Sequence, residues 1–238
     1  MTSYDGVRPT AGVWRRGLLR RVAAGLTVLL LAAAGTGAAA AQSDGRPSGD
    51  ALTDGAADYI TELSRTAIDK LGAKDFSAAE RAEAGRKLLE KNFAGRDLAR
   101  FVLGRYWRVA SEQQRARFMT LLREVALTRF LPTFQRMSMD QVTIERSIAD
   151  PQAKGVARVI TRVDVPDRAP VKLAWRVRPT DDGGYEIVDI MAEGVSMAIT
   201  LRSEYSSVID QNGGRVEALL SRLEQRLQSD SAPEWAKN

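Results

Sequence analysis

The 238-residue chain contains no cysteine and no histidine. Without cysteine it can form no disulfide, hold no thiolate-bound metal and use no thiol nucleophile, so stability has to come from its own core. Without histidine the Ser-His-acid and Cys-His systems are excluded, and the commonest ligands of catalytic zinc are missing. No phosphate-cradling loop is present either, neither GxxxxGK[ST] nor GxGxxG after a strand. The longest apolar run, "VAAGLTVLLLAAAG", has about 13 apolar residues, short of the roughly 20 that span a bilayer, so a permanent anchor is not the reading it supports.

Carboxylates are the chemistry that remains, and Asp189 with Glu193 is the pair to weigh. Four residues apart on a strand they share a face, but at 3.3 Å per residue they are separated by roughly 13 Å. Glycosidase pairs need about 5 to 9.5 Å, so the two fit catalysis poorly. The structural alternative is that each meets an arginine, or that Glu193 caps the helix that follows.

The net charge of +5 is not spread along the chain. Residues 1–41 hold five arginines (Arg8, Arg15, Arg16, Arg20, Arg21) against Asp5, which leaves 30 basic and 29 acidic residues in the remainder. A nucleic-acid footprint is therefore not indicated, since the body of the chain is nearly neutral and shows no concentrated basic patch. The order of basic "RRGLLRR", apolar run and small "TGAAAAQ" describes an export signal cleaved after Ala40 or Ala41. "RRGLLR" is compatible with twin-arginine export and with ordinary Sec export alike. The expected organisation is a signal peptide over 1–41, a Gly/Ser/Pro/Asp linker over 42–52, one domain over 53–228 and a tail over 229–238.

Periodicity separates that domain into helical and strand regions. "ADYITELSRTAIDKL" places Ile60, Leu63, Ala67, Ile68 and Leu71 on one stripe. Ser77 with Glu80, and Ser111 with Gln114, have the spacing of capping boxes that open helices. The second of these helices stripes Phe118, Leu121, Leu122 and Val125 along one face. From Asp140 the period becomes two: "QVTIERSI", "ARVITRVDV" and "VKLAWRV" alternate apolar with polar residues, with turns at "PDRAP" and "TDDGG". After Val195 the chain is helical again, with Gly213 and Gly214 as a break. The expected fold class is α+β, with helices wrapped around a twisted antiparallel sheet of about four strands.

Two stretches carry a resemblance. "RFVLGRYWRVASEQQRARFMTLLREVALTRF" (100–130) and "GYEIVDIMAEGVSMAITLRSEYSSVIDQNGGRVEALLSRL" (184–223) resemble the MlaC, or toluene-tolerance, family of periplasmic phospholipid carriers, most specifically in "D...EGVSM" at a strand-to-helix corner. The resemblance implies an apolar pocket between sheet and helices, diacyl phospholipid as cargo, no cofactor, no metal and no catalysis. It also implies a periplasmic protein of the Mla pathway, serving outer-membrane lipid asymmetry. Its partners would be an inner-membrane ABC transporter with an MCE-domain subunit and an outer-membrane lipoprotein–porin complex, and a monomer is expected.

On that basis the expected lipid-lining residues are Val142, Ile144, Val159, Val163, Leu173 and Trp175 of the sheet, faced by Phe101, Tyr106, Leu122 and Val125. Val195 and Met197 would add deformable apolar contact at the corner, where Gly194 turns the chain and Glu193 caps orphan amides. Arg105, Arg108, Arg115 and Arg117 are the candidate docking surface, against the plain alternative of solvated helix faces. Two rival readings of the whole chain stand beside this one: an envelope adaptor with a filled core and no ligand, and an envelope hydrolase using Asp189 or Glu193.

Overall fold

Both serine capping boxes form, each serine side chain accepting from the backbone three residues on, with the third residue's side chain returning the bond. The computed structural model describes residues 49–164 and 169–231. The expected signal peptide, most of the linker, Val165 and the end of the tail lie outside these described residues. Among them the helices are α1 (Gly49–Gly72), α2 (Ala78–Asn92), α3 (Gly95–Leu103), α4 (Tyr106–Val109), α5 (Glu112–Phe134), α6 (Met197–Gln211) and α7 (Val216–Ser231). Helix α1 thus begins inside the stretch read as linker, and α7 continues to Ser231. No helix among the described residues is long and apolar enough to cross a membrane.

The strands β1 (Val142–Ala149), β2 (Ala157–Val163), β3 (Val171–Pro179), β4 (Tyr185–Ala192) and β5 (Val195–Ser196) pair in sequence order, every pair antiparallel. Val195 and Ser196, the second of them read from sequence as the start of a helix, form a two-residue fifth strand before α6 begins. The expected α+β architecture is what the chain adopts.

Register decides which side chains share a face. Val159 pairs with Trp175, Thr161 with Leu173 and Val163 with Val171, so these six lie on one side of the sheet. A bulge in β1 between Ile144 and Arg146 shifts its alternation, and Val142, Ile144, Ser147 and Ala149 all join that side. A second irregularity, opposite Arg176 and Val177, brings Ile187 and Ile190 onto it although they are three residues apart. Helix α1 lies across this apolar face, with Leu52, Ala56 and Ile60 buried against Ala157, Val159, Val177 and Ile187. Tyr59 stacks on Tyr185 at 5.7 Å between centroids, and its hydroxyl donates to the Asn92 side chain at 3.0 Å.

The other side of the sheet is charged. Asp150, just beyond β1, accepts from Arg176 at 2.8 Å, from Arg158 at 3.2 Å and from the Gln152 amide at 2.7 Å. Burial alone would push its carboxyl up, but the Gln152 amide and the guanidinium of Arg176, with Arg158 behind it, outweigh that and hold it below the usual range. Arg178 continues the row, bridging Glu186 on its own sheet to Asp97 on α3 at 2.6 Å each.

A second buried cluster consists wholly of helical residues and the α4–α5 junction: Phe118, Leu121 and Val125 of α5 meet Val102 and Leu103, Tyr106 and Trp107, Tyr205 and Ile209, and Leu219, Leu220 and Leu223 of α7. Phe118 meets Tyr205 edge-on at 6.0 Å, and burial pushes the Tyr205 hydroxyl up to about 12. Arg117 clasps α7 from outside, reaching Glu217 at 2.5 Å and Glu224 at 2.6 Å. This cluster and the sheet cluster share no residue.

Candidate functional site

The apolar face of the sheet is closed at one end and loosely covered at the other. Along β2, Ala157 and Val159 are 0% exposed and Thr161 1%, while Val163 beyond them is only half-buried. Its neighbours Val142 and Leu173 are half-buried in the same way, as are Ile144, Trp175 and Ile190, which pack against the cluster beneath α1. The indole of Trp175 donates to the Thr161 hydroxyl at 3.0 Å, so both polar groups are satisfied within the face and neither needs water there. What this end presents is continuous apolar side-chain surface without an unpaired polar group of its own, the chemistry that suits hydrocarbon.

The corner between β4 and α6 is built differently from the sequence expectation. Glu193 does not cap the helix. With φ at +49° it bends its carboxylate back to the Lys172 amide at 2.7 Å, tying the corner to β3. Gly194, at φ +80°, completes the turn in a conformation that a side chain would resist. The cap of α6 is supplied by Ser196, which accepts from the Ile199 amide at 3.1 Å, and by Asp189, which accepts from the Ser196 hydroxyl at 2.6 Å and from the Ala198 amide at 3.1 Å. Asp189 is buried and has Arg176 at 3.8 Å. A carboxylate engaged by a helix N-terminus and a serine is structural: its lone pairs are already spoken for.

The twelve residues expected to line one space are not gathered into one. Val142, Ile144, Val163, Leu173 and Trp175 do share one face of the sheet, Val142, Val163 and Leu173 at its loosely covered end and Ile144 and Trp175 half-buried against the cluster beneath α1. Val159 lies in the closed end beneath α1. Tyr106 and Val125 belong to the helical cluster, where the Tyr106 hydroxyl donates to Asp210, and Leu122 is half-buried at that cluster's edge. Met197 is half-buried, whereas Val195 is 47% exposed on the short β5. Phe101 is 41% exposed and faces a cleft at the surface of the helices. The reason is the bend at Gly104: α3 and α4 fold onto α5 and α6 and complete the helical cluster, so their aromatics cannot also face the sheet. Ile190 and Leu63, absent from the expectation, border the sheet cluster. Leu63 was visible in the α1 stripe, but Ile190 was hidden by the bulge that breaks its alternation with Ile187.

The four arginines expected to dock a partner separate too. Arg115 donates to the Trp107 carbonyl at 2.8 Å and lies over the Trp107 ring, and Arg117 is engaged by two glutamates of α7, so both serve the fold. Arg105 is bound to Asp210 and, at 2.7 Å, to the Tyr106 hydroxyl. The Tyr106 hydroxyl first, and then Arg105, hold the Asp210 carboxyl below its ordinary range. Arg105 and Arg108 both line the cleft that Phe101 faces, an open cavity of about 570 Å³ between α3, α4 and α6. Arg100 and Arg202 stand there as well, so the fold assembles a basic patch that the sequence does not show as a run.

Comparison with known proteins matches the chain to the family described as MlaC protein over residues 61–225. Its fold is similar to that of a phospholipid-binding protein from Ralstonia solanacearum solved in complex with a phospholipid, at 16% identity and a TM-score of 0.63, covering 74% of this chain and 99% of that one. No curated protein matches it.

Proposed function

The chain belongs to the MlaC protein family, and from that premise we propose that it is a periplasmic phospholipid carrier rather than an enzyme. In this reading a cleaved export signal delivers it to the periplasm, where it passes diacyl phospholipid between an outer-membrane lipoprotein–porin complex and an inner-membrane ABC transporter with an MCE-domain subunit. The observation that supports it best is the sheet face whose burial fades toward Val163 and Leu173 while a separate helical cluster closes on itself. Acyl chains would lie against that end. The similar fold of a phospholipid-binding protein solved with its lipid supports the same cargo.

The energetic requirement is plain. Each methylene held out of water is worth roughly 0.8 kcal/mol, so two long chains crossing the periplasm unescorted would cost on the order of 20 kcal/mol. A carrier removes that barrier only by offering comparable apolar surface, and half-buried aliphatic side chains offer it without first unpacking a filled core. No titrating group is needed for this, and Asp189 and Glu193 are occupied in holding the corner.

Native mass spectrometry of the exported protein, purified without detergent, tests the reading. The expected spectrum shows a chain beginning near Gln42 and carrying phospholipid, with delipidation removing mass in phospholipid-sized steps. A chain that retains residues 1–41 would end the case for a freely diffusing shuttle. A processed chain with no lipid at near-stoichiometric level would favour an envelope adaptor with a filled core.

A further inference from the structure

The cleft between α3, α4 and α6 plays no part in holding lipid as proposed above, yet it gathers four arginines. Arg100 from α3, Arg105 and Arg108 around α4, and Arg202 from α6 surround it, with Phe101 and Trp107 supplying its apolar surface. Asp97 is the sole acidic residue of the lining, and its carboxylate is taken by Arg178. Among the described residues no ion pair joins Arg100, Arg108 or Arg202 to an acidic side chain. Three of the four guanidinium groups therefore keep donors that no carboxylate of the described fold uses.

The arrangement is also held in place. The guanidinium of Arg202 lies 5.0 Å from the Phe101 ring centroid. It passes so close to the Gly104 backbone that a Cβ there would be 3.1 Å from Nε. Gly104 itself has φ +55°, which sets the bend between α3 and α4 and leaves that passage open. Arg105 is fixed by Asp210 and Tyr106. Arg202 thus loses little freedom on meeting an anion, the condition under which charge-assisted hydrogen bonds contribute most, while Arg105 with its own partners borders the cleft.

We propose that this cleft is a docking site for an acidic segment of a protein partner, one apolar side chain of which rests on Phe101 while flanking carboxylates meet Arg100, Arg108 and Arg202. The cavity of about 570 Å³ has room for a few side chains. Its concave form suits an inserted peptide, whereas an anionic bilayer surface is met by protruding side chains rather than by a hollow. Rim charges of this kind act mainly on encounter rate and specificity, which suits a partner that must be released.

Titration of the isotopically labelled, lipid-loaded chain with a blocked synthetic hexapeptide of glutamates around one leucine tests this, followed by amide shifts in NMR. The expected result is saturable binding that weakens as salt rises from about 50 to about 500 mM. The shifts should concentrate between Phe101 and Arg108 and around Arg202. An Arg100→Glu/Arg108→Glu variant should lose roughly tenfold or more of the affinity while sheet amides and bound lipid stay as in the parent. Either absence of saturation, shifts centred elsewhere or undiminished binding by the variant would overturn the proposal. So would Arg100- and Arg108-dependent flotation on vesicles containing phosphatidylglycerol without peptide binding, which would assign the cleft to a membrane. Bound lipid is measured on the same samples, so failure of the cleft is separable from failure of the carrier reading.

Discussion

In the helical cluster the large side chains are the most deeply buried, with Phe118, Ile209 and Leu220 at 0% exposure. On the sheet face burial instead runs out along single strands, from Val159 to the half-buried Val163 and from Val177 to the half-buried Leu173. The two regions have similar apolar chemistry, so hydrophobicity does not separate them. Coverage does. Helices α3 to α7 surround one another and seal a common interior, whereas α1 lies on the sheet face, burying Ala157, Val159, Val177 and Ile187 with Leu52, Ala56 and Ile60 while Val163 and Leu173 stay half-buried. An apolar surface that its own chain covers incompletely is a place where hydrocarbon from elsewhere gains by burial.

The largest expected effect lies in the sealed region. Phe118→Ala should cost about 3–5 kcal/mol in urea unfolding, because the edge-on partner Tyr205 and the α7 leucines cannot collapse fully into the space left. Lipid carried per folded molecule should not change. A cost below about 1 kcal/mol would mean that the helical cluster is not the tightly filled core its burial describes.

Next comes a paired substitution along one strand. In lipid-free protein, Val159→Trp at the closed end should cost about 1–3 kcal/mol or more by overpacking. Val163→Trp, two pairs further along, should leave the melting temperature nearly unchanged yet purify with little phospholipid, because the indole takes the tails' place. Thermal melts and organic extraction of the two variants read both quantities. If Val163→Trp melted as low as Val159→Trp and still held its lipid, the loosely covered end would not be the binding surface, and the helix-lined side near Met197 would be the next to probe.

The smallest effect belongs to the charged side of the sheet. Asp150 is held below the ordinary carboxylate range in the folded chain. Its contribution to stability is therefore full above its unfolded value of about 4 and is lost as the pH falls through the lower folded value. Asp150→Asn should lower stability at neutral pH and flatten the acid limb of a stability–pH curve measured by urea unfolding. An unchanged slope between about pH 5 and pH 2 would show that Arg158 and Arg176 do not act on this carboxylate.

Much of the architecture was legible because it rests on short-range rules. A serine three residues before a glutamate or glutamine satisfies helix amides within one turn, so Ser77 and Ser111 announced α2 and α5. The alternation in β2 and β3 is set by the pleat and placed Val159, Val163, Leu173 and Trp175 on one face correctly. The corner was legible in part: Gly194 turns as expected, but the cap came from Asp189 and Ser196, and Glu193 went to Lys172. Spacing along a chain does not say which of two nearby carboxylates the backbone will aim at a helix end.

What the sequence determined alone was the order and type of the longer elements, the near-neutrality of the chain after its basic first 41 residues, and the exclusion of thiol and imidazole chemistry. Those follow from residue identity and from periods of two and 3.6. The tertiary structure decided the rest. Bulges in β1 and β4 moved Ser147 and Ile190 across the sheet, the bend at Gly104 turned Phe101 away from it, and arginines a hundred residues apart, Arg100 and Arg202, came to share one cleft. Incomplete coverage of an apolar face is likewise a relation between α1 and strands that begin about seventy residues after it ends, and no local pattern encodes where one element stops covering another.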